Sequence, residues 1–237
     1  QVLAIHKGEV FYNKSFGFHT YKKIKEVENT DVYDLASITK IASSVISLMK
    51  LSDLGMFDYN KTLSDYLSFS DTCNKRQLVL KNILAHQSGL KPWIPFYKET
   101  IEDNGNLRDS LYSTIKSDTF SIEVANGLYL HNEYADSLMK RIDDSDLMES
   151  ADYKYSDLGY YYVKDIIESL TKTDIEEYIN SAFYNKLGTS SLTYLPKNSI
   201  DISRIIPTEF DYYFRSQLLH GDVHDMGAAM LGGIGGH

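Results

Sequence analysis

The chain has 237 residues, 43% hydrophobic and 13% aromatic, with 33 acidic against 24 basic side chains and a formal net charge of -9. That is enough apolar material for one substantial core, or for a core with an inserted helical lobe. The acidic balance argues against a nucleic-acid backbone as partner, and the longest apolar stretch, around Ile41 to Leu48, is broken by serines well short of the ~20 residues of a membrane span.

The N-terminus reads as a hairpin. Val2-Leu3-Ala4-Ile5 and Val10-Phe11-Tyr12 flank a glycine turn, Lys7-Gly8-Glu9, and Ser15-Phe16-Gly17-Phe18 continues the second strand. A charged loop, Lys22 to Thr30, leads to a helix carrying Ser37, Lys40, Ile41, Val45, Leu48 and Met49 at helical spacing, with Gly55 as its stop. Thr62 to Leu90 has a helical pattern ending at Gly89. Lys91 to Glu149, with Pro92, Trp93 and Pro95, reads as short helices and long loops over a cleft, a place to set substrate preference. Tyr160 to Leu170 and Ile175 to Leu187 read as two further helices. The whole is expected to be a single domain: 1–50 the first strands and the Ser37 helix, 51–200 a mainly helical lobe, 201–237 a return toward the sheet.

Chemistry concentrates in Ser37-Ile38-Thr39-Lys40. A serine and a lysine three residues apart share a helix face, here in the first turn, where backbone N–H groups and the helix dipole favour an anion. A lysine held against a hydroxyl in a partly dry cleft can take up or relay its proton and make the serine a nucleophile. Alone, this spacing equally suits a solvated helix face. Tyr155-Ser156-Asp157, opening a second apolar run at Leu158, adds a phenol and a short polar group at a loop-to-helix junction. Tyrosine is ordinarily a poor base; beside an ammonium its phenolate is stabilised and the pair can shuttle a proton.

With these residues the chain resembles the serine β-lactamase-like and penicillin-binding-protein-like hydrolases, in the branch of class C β-lactamases, D-amino-acid peptidases and family VIII esterases. Asp34-Leu35-Ala36-Ser37-Ile38-Thr39-Lys40 is similar to the nucleophile motif and Tyr155-Ser156-Asp157 to the tyrosine motif. Asn82-Ile83-Leu84-Ala85-His86-Gln87-Ser88-Gly89-Leu90 is similar to the helix end between them. Gly221-Asp222-Val223-His224-Asp225, with Ala228-Ala229 and Leu231 to His237, is similar to a valine-histidine-aspartate and glycine-rich segment. The resemblance implies an α/β (α+β) fold, an antiparallel sheet flanked by helices plus a mainly helical lobe. It also implies acyl transfer without a cofactor, with Ser37, Lys40 and Tyr155 catalytic and Asp157 binding substrate. The substrate classes implied are small amides or esters, including D-amino-acid peptides of peptidoglycan, muropeptides and β-lactams. The glycine-rich version is similar to domains fused behind a family 3 glycoside hydrolase, which places the chain in murein turnover at the bacterial envelope, in the periplasm or exported.

Two departures stand out. Most relatives have asparagine where this chain has Asp157, an acceptor when ionised where the amide also donates. Relatives also carry a lysine or histidine, then threonine or serine, then glycine, on a strand lining the cleft. Lys186-Leu187-Gly188-Thr189 has the wrong order and His220-Gly221-Asp222 lacks the hydroxyl, so the expectation is a truncated domain missing its C-terminal strands. Gln1 likewise reads as a cut and not a start.

Rival readings attach to several residues. His220, Asp222, His224 and Asp225 have spacing suited to a divalent metal and a metallohydrolase. A fold-keeping, non-catalytic muropeptide-binding module is the other alternative, favoured by Asp157. His86 is expected to cap a helix end or satisfy a carbonyl; Cys73, the single cysteine, to be buried and inert; and the 19 tyrosines, Tyr97 and Tyr112 included, to pack and not to stack on sugars.

Overall fold

Six of the first seven residues of one helix are buried whichever way they point, and that helix organises the molecule. The structure, a computed structural model, describes residues 1–232; Gly233 to His237, the end of the glycine-rich segment, lie outside the described residues. Helix α4 (Leu158–Thr171) buries Leu158, Gly159, Tyr160, Tyr161, Tyr162 and Val163 in succession and then Ile166 and Ile167. A helix apolar all round must be enclosed all round. Around it pack α2 (Leu80–Leu84), the Lys40–Val45 segment that leads into α1 (Ile46–Asp53), and α5 (Ile175–Ile179). Gly159 is where α2 comes closest: a Cβ there would meet Ile83 Cγ2 at 2.5 Å and Leu90 Cδ1 at 3.3 Å.

The named strands pair antiparallel in three small sheets. β1 (Val2–His6) and β2 (Glu9–Lys14) form the hairpin that the Lys7-Gly8 turn implies, with a register shift between Ala4 and Ile5. β3 (Tyr112–Ser113), β4 (Ile122–Ala125) and β5 (Leu128–Leu130) form a sheet in the order β3-β5-β4, and β6 (Glu209–Asp211) pairs with β7 (Gln217–Leu219). The second strand stops at Lys14; Phe18, expected to continue it, instead bridges Glu26 across the charged loop, because Gly17 at φ 79° turns the chain.

The expected helix over Thr62 to Leu90 is largely replaced by turns. A 3-10 turn, Leu63–Asp65, and the short α2 are its only helical parts. Tertiary contacts override the pattern: Thr62 bridges Val79, and the fully buried Lys75 donates to the Asp143 carbonyl at 3.1 Å and to the Ser145 carbonyl. Burial lowers the Lys75 pKa. The stretch Lys91 to Glu149 likewise holds more than loops. It contributes the β3-β5-β4 sheet and a 13-residue helix, α3 (Asn132–Asp144), whose apolar stripe ends in the buried Leu138 and Ile142. Downstream, Ile175 to Leu187 is helical as expected, α5 running through a π-helical stretch, Asn180–Tyr184, into α6 (Asn185–Leu187). The last described helix is α7 (Met226–Leu231), packed on β4 and α3.

Tyr112 is buried with its hydroxyl on Thr100, and both Tyr97 and Tyr112 rings lie 5.8 Å from Phe214, so these tyrosines pack in the interior. Cys73 is buried with its thiol 3.7 Å from the Asp143 carbonyl. No helix among the described residues is long and apolar enough to cross a membrane.

Candidate active site

Ser37 sits in the turn that enters the first helix. The turn is built from i to i−3 bonds: Ile38 N to Leu35 O, Thr39 N to Ala36 O, and Lys40 N to Ser37 O at 3.1 Å. From Lys40 to Val45 the helix is π-helical and not α-helical, a widening frequent at functional sites. The three-residue spacing still brings the pair together. Lys40 is 5% exposed and its ammonium donates to Ser37 Oγ at 3.2 Å. Ala36, just before Ser37, has φ 44°, a left-handed conformation costly for a residue with a Cβ and kept only where its surroundings hold it.

Asp34 is what holds it. One carboxylate oxygen accepts from Ala36 N at 2.7 Å and the other from His224 N at 2.8 Å, tying the turn that carries Ser37 to a loop 190 residues away. Asp34 lies three residues before Ser37, and that position is the signal the sequence offers for its bracing role. Asp34→Ala should slow acylation of Ser37 by about 10–100-fold through misplacement of the turn. Its melting midpoint should move by only roughly 2–4 °C, so parallel rate and melting measurements separate positioning from unfolding.

Tyr155 arrives from the other end of the chain, and its hydroxyl lies 2.7 Å from Ser37 Oγ. The loop carrying it is clamped along its length by the segment 86–92. Lys154 N donates to His86 O at 2.8 Å, Ser156 N to His86 Nδ1 at 3.2 Å, Ser156 Oγ to Lys91 O at 2.6 Å and Asp157 N to Pro92 O at 2.9 Å. The His86 ring also lies 4.4 Å from the Tyr155 ring and 5.6 Å from that of Tyr160. His86 caps the end of α2 as expected, at φ 57° with its N–H on Ile83 O at 3.0 Å, and its ring in addition accepts a backbone N–H from the tyrosine motif. Burial first, and the Lys40 charge second, hold its pKa below the ordinary histidine value, which keeps Nδ1 an acceptor.

Asp157 faces Lys40: its Oδ1 is 2.6 Å from the ammonium. The ammonium also stands over the rings of Tyr155 at 5.4 Å and Tyr160 at 5.5 Å. The structure thus brings all four sequence-predicted residues together, with Asp157 bonded to the lysine.

The 220–225 loop closes one side. His220 Nε2 lies 2.7 Å from Ile205 O, Asp222 pairs with Lys197 at 2.6 Å, and His224 Nδ1 lies 2.5 Å from Glu209. Asp225 caps α7 through Ala228 N. These four side chains point to separate partners, and the described residues include no group of three or more His, Cys, Asp or Glu able to hold a metal. A cavity of about 70 Å3 lies between Ser37, Lys40, Asp157, Tyr161, His224 and Asp225. Burial, with Asp157 nearby, raises the Asp225 pKa, and burial raises that of Tyr161 strongly.

Residues 1–203 match the family model described as Beta-lactamase. A putative D-alanyl-D-alanine carboxypeptidase from Salmonella heidelberg is 29% identical over 232 residues, covering 90% of this chain and 48% of the relative; the Salmonella typhimurium protein of the same description gives the same figures. The chain thus spans about half the length of the curated relatives it matches. Among solved structures, the octameric penicillin-binding protein homologue from Pyrococcus abyssi superposes with a TM-score of 0.65 at 18% identity, over 98% of this chain and 47% of that one. FmtA from Staphylococcus aureus also gives 0.65, at 16% identity, over 97% and 53%. These two likenesses speak for the fold. With the family model matching most of its length, the chain belongs to the Beta-lactamase family.

Proposed function

We propose that this chain is the nucleophile-bearing part of a serine hydrolase that works through an acyl-enzyme on small amides or esters, peptidoglycan-related D-amino-acid compounds or β-lactams among them. The observation that carries the reading is one oxygen with two partners: Ser37 Oγ lies 3.2 Å from the Lys40 ammonium and 2.7 Å from the Tyr155 hydroxyl. In the first half-reaction Ser37 Oγ forms a bond to the substrate carbonyl carbon. The Tyr155 and Lys40 pair reacts with one proton removed, as phenolate beside ammonium or phenol beside amine, so it takes the Ser37 proton and then hands it to the leaving amine or alcohol as the scissile bond breaks. Water then attacks the ester carbonyl; the same pair takes the water's proton and delivers it to Ser37 Oγ as the acyl–Oγ bond breaks, releasing the acid and restoring the serine. The Ser37 N–H, at the positive end of the helix, supplies one donor to the tetrahedral oxyanion. The relatives described as D-alanyl-D-alanine carboxypeptidases support a peptidoglycan-related substrate, and with it a place in murein turnover at the envelope or outside it.

The test is covalent capture. A fluorescent penicillin and an activated ester such as p-nitrophenyl acetate should each label the protein at Ser37, located by peptide mapping, and Ser37→Ala should lose both label and turnover. Absence of label on Ser37 from either reagent overturns the reading. Muropeptide binding that survives unchanged in Ser37→Ala, with no turnover in the parent chain, would instead identify a binding module.

A further inference from the structure

Tyr161 is a buried phenol near Ser37 that the acyl-transfer steps leave unused. It is 4% exposed, and its hydroxyl has no hydrogen-bond partner among the described residues. A buried tyrosine hydroxyl ordinarily finds one. The hydroxyl end lies against the start of α7: a Cβ on Gly227 would stand 2.5 Å from Tyr161 Oη and 3.3 Å from Asp225 Oδ1. Tyr161 and Asp225 both line the cavity of about 70 Å3 that Ser37 and Lys40 also line. Its charged groups are already engaged: Lys40 holds Asp157 at 2.6 Å and Ser37 at 3.2 Å, and Asp225 accepts from Ala228 N at 2.5 Å.

Size decides what fits. The cavity has room for about two waters, at the ~30 Å3 that each takes in the liquid, and the polar groups around it are of the kind that hold one. A water there borders both Lys40, half of the proton-relay pair, and the Tyr161 phenol. A phenol oxygen accepts a hydrogen bond as well as donating one. Burial, with Asp225 and Asp157 nearby, keeps Tyr161 protonated, so it fixes the orientation of a water without competing for its proton.

We infer that this cavity holds the hydrolytic water and that Tyr161 is its positioning residue. The inference rests on the acyl-enzyme reading and gives the second half-reaction a residue of its own. One hydrogen of the water turns to the Tyr161 oxygen and the other to the Tyr155 and Lys40 pair. A lone pair of the water forms the bond to the ester carbonyl carbon. The Tyr155 and Lys40 pair takes the proton facing it and delivers it to Ser37 Oγ as the acyl–Oγ bond breaks and the acid leaves. Acylation needs no water, so Tyr161 acts on deacylation alone.

The reagent p-nitrophenyl acetate separates the two half-reactions on the full chain. Release of p-nitrophenolate in the first turnover reports acylation, and loss of the acetyl group from Ser37 after removal of the ester, followed by intact mass, reports deacylation. Tyr161→Phe removes one oxygen and keeps the ring. It should slow deacylation by about tenfold, the worth of one well-placed hydrogen bond, and leave the acylation rate unchanged, so that acetyl-Ser37 accumulates. Gly227→Ala, whose Cβ displaces the hydroxyl, should give the same split, and it decides alone if Tyr161→Phe does not fold. Equal slowing of both half-reactions, the result if the cavity takes the acyl substituent or if Tyr161 only supports the fold, overturns the inference. Deacylation at the parent rate in either variant overturns it too, and in both cases the hydrolase reading stands. If Ser37→Ala releases p-nitrophenolate as fast as the parent chain, the hydrolase reading falls and takes the inference with it.

Discussion

Lys40→Met is expected to lower the acylation rate of Ser37 by about 1,000-fold, and Tyr155→Phe by a comparable factor, with the double variant little worse than either single one. In the proposed mechanism both groups act on one proton. The lysine is 5% exposed and 3.2 Å from Ser37 Oγ, and the phenol is 2.7 Å from the same atom, so removing either breaks the relay and the second loss has little left to remove. Lys40→Met also strands Asp157, whose side chain is 26% exposed and loses its partner at 2.6 Å. An unpaired and partly buried carboxylate is costly. Lys40→Met/Asp157→Asn should therefore recover stability while leaving activity at the level of Lys40→Met. Stopped-flow labelling with a fluorescent penicillin, paired with thermal melts, reads both quantities. Full activity in Lys40→Met would show that the lysine is not needed and end the mechanism.

Asp211→Ala is expected to be the most destabilising single change, by about 3–5 kcal/mol in urea unfolding, because it leaves a buried guanidinium without its counter-charge. Asp211 is 2% and Arg215 3% exposed. The carboxylate receives Arg215 Nε at 2.7 Å and the backbone N–H groups of Tyr213, Phe214 and Arg215. Arg215 in turn donates to Val223 O at 2.7 Å, His224 O at 2.9 Å and Val124 O at 3.4 Å. The pair thus pins the loop that walls the active site to β4, and activity should fall along with stability. Burial works to raise the Asp211 pKa, but the Arg215 bond and the three N–H groups outweigh it and hold the carboxyl below its ordinary range. A depressed carboxyl adds stability that is fully present above its unfolded pKa of about 3.9 and is lost as pH falls through the folded value. The difference between the parent chain and Asp211→Asn should accordingly shrink below about pH 4. A difference that is constant down to pH 2 would show the pair to be uncoupled from protonation.

Much of the site was legible in the chain because its parts are local motifs. Ser37 and Lys40 meet because three residues on any helical turn do, and the change from α- to π-helix beyond Lys40 does not move them apart. The same holds for the hairpin at Gly8 and for α4, whose buried run is continuous. Asp157 was read as a substrate contact; its partnership with Lys40 depends on where two distant segments meet. His86 caps α2, which its place before Ser88-Gly89 makes legible, but its second role, a ring that struts the tyrosine loop, arises only because Lys91 and Pro92 run alongside Ser156 and Asp157. The metal reading of His220, Asp222, His224 and Asp225 followed sequence spacing, while the loop turns each side chain to a different neighbour.

The amino-acid sequence by itself determined the chemical inventory, a hydroxyl, an amine and a phenol at motif spacing, and the elements whose apolar period is strong. Only the tertiary structure decided that the phenol reaches across 118 positions to the hydroxyl, that Asp34 spans 190 positions to brace the turn, and that Thr62 to Leu90 gives up its helix. The physical reason is range. Helical spacing and turn chemistry act over a few residues and can be read along the chain, whereas an ion pair, a buried lysine such as Lys75 or a two-ended carboxylate brace exists only once distant segments have been packed against one another and water has been excluded between them.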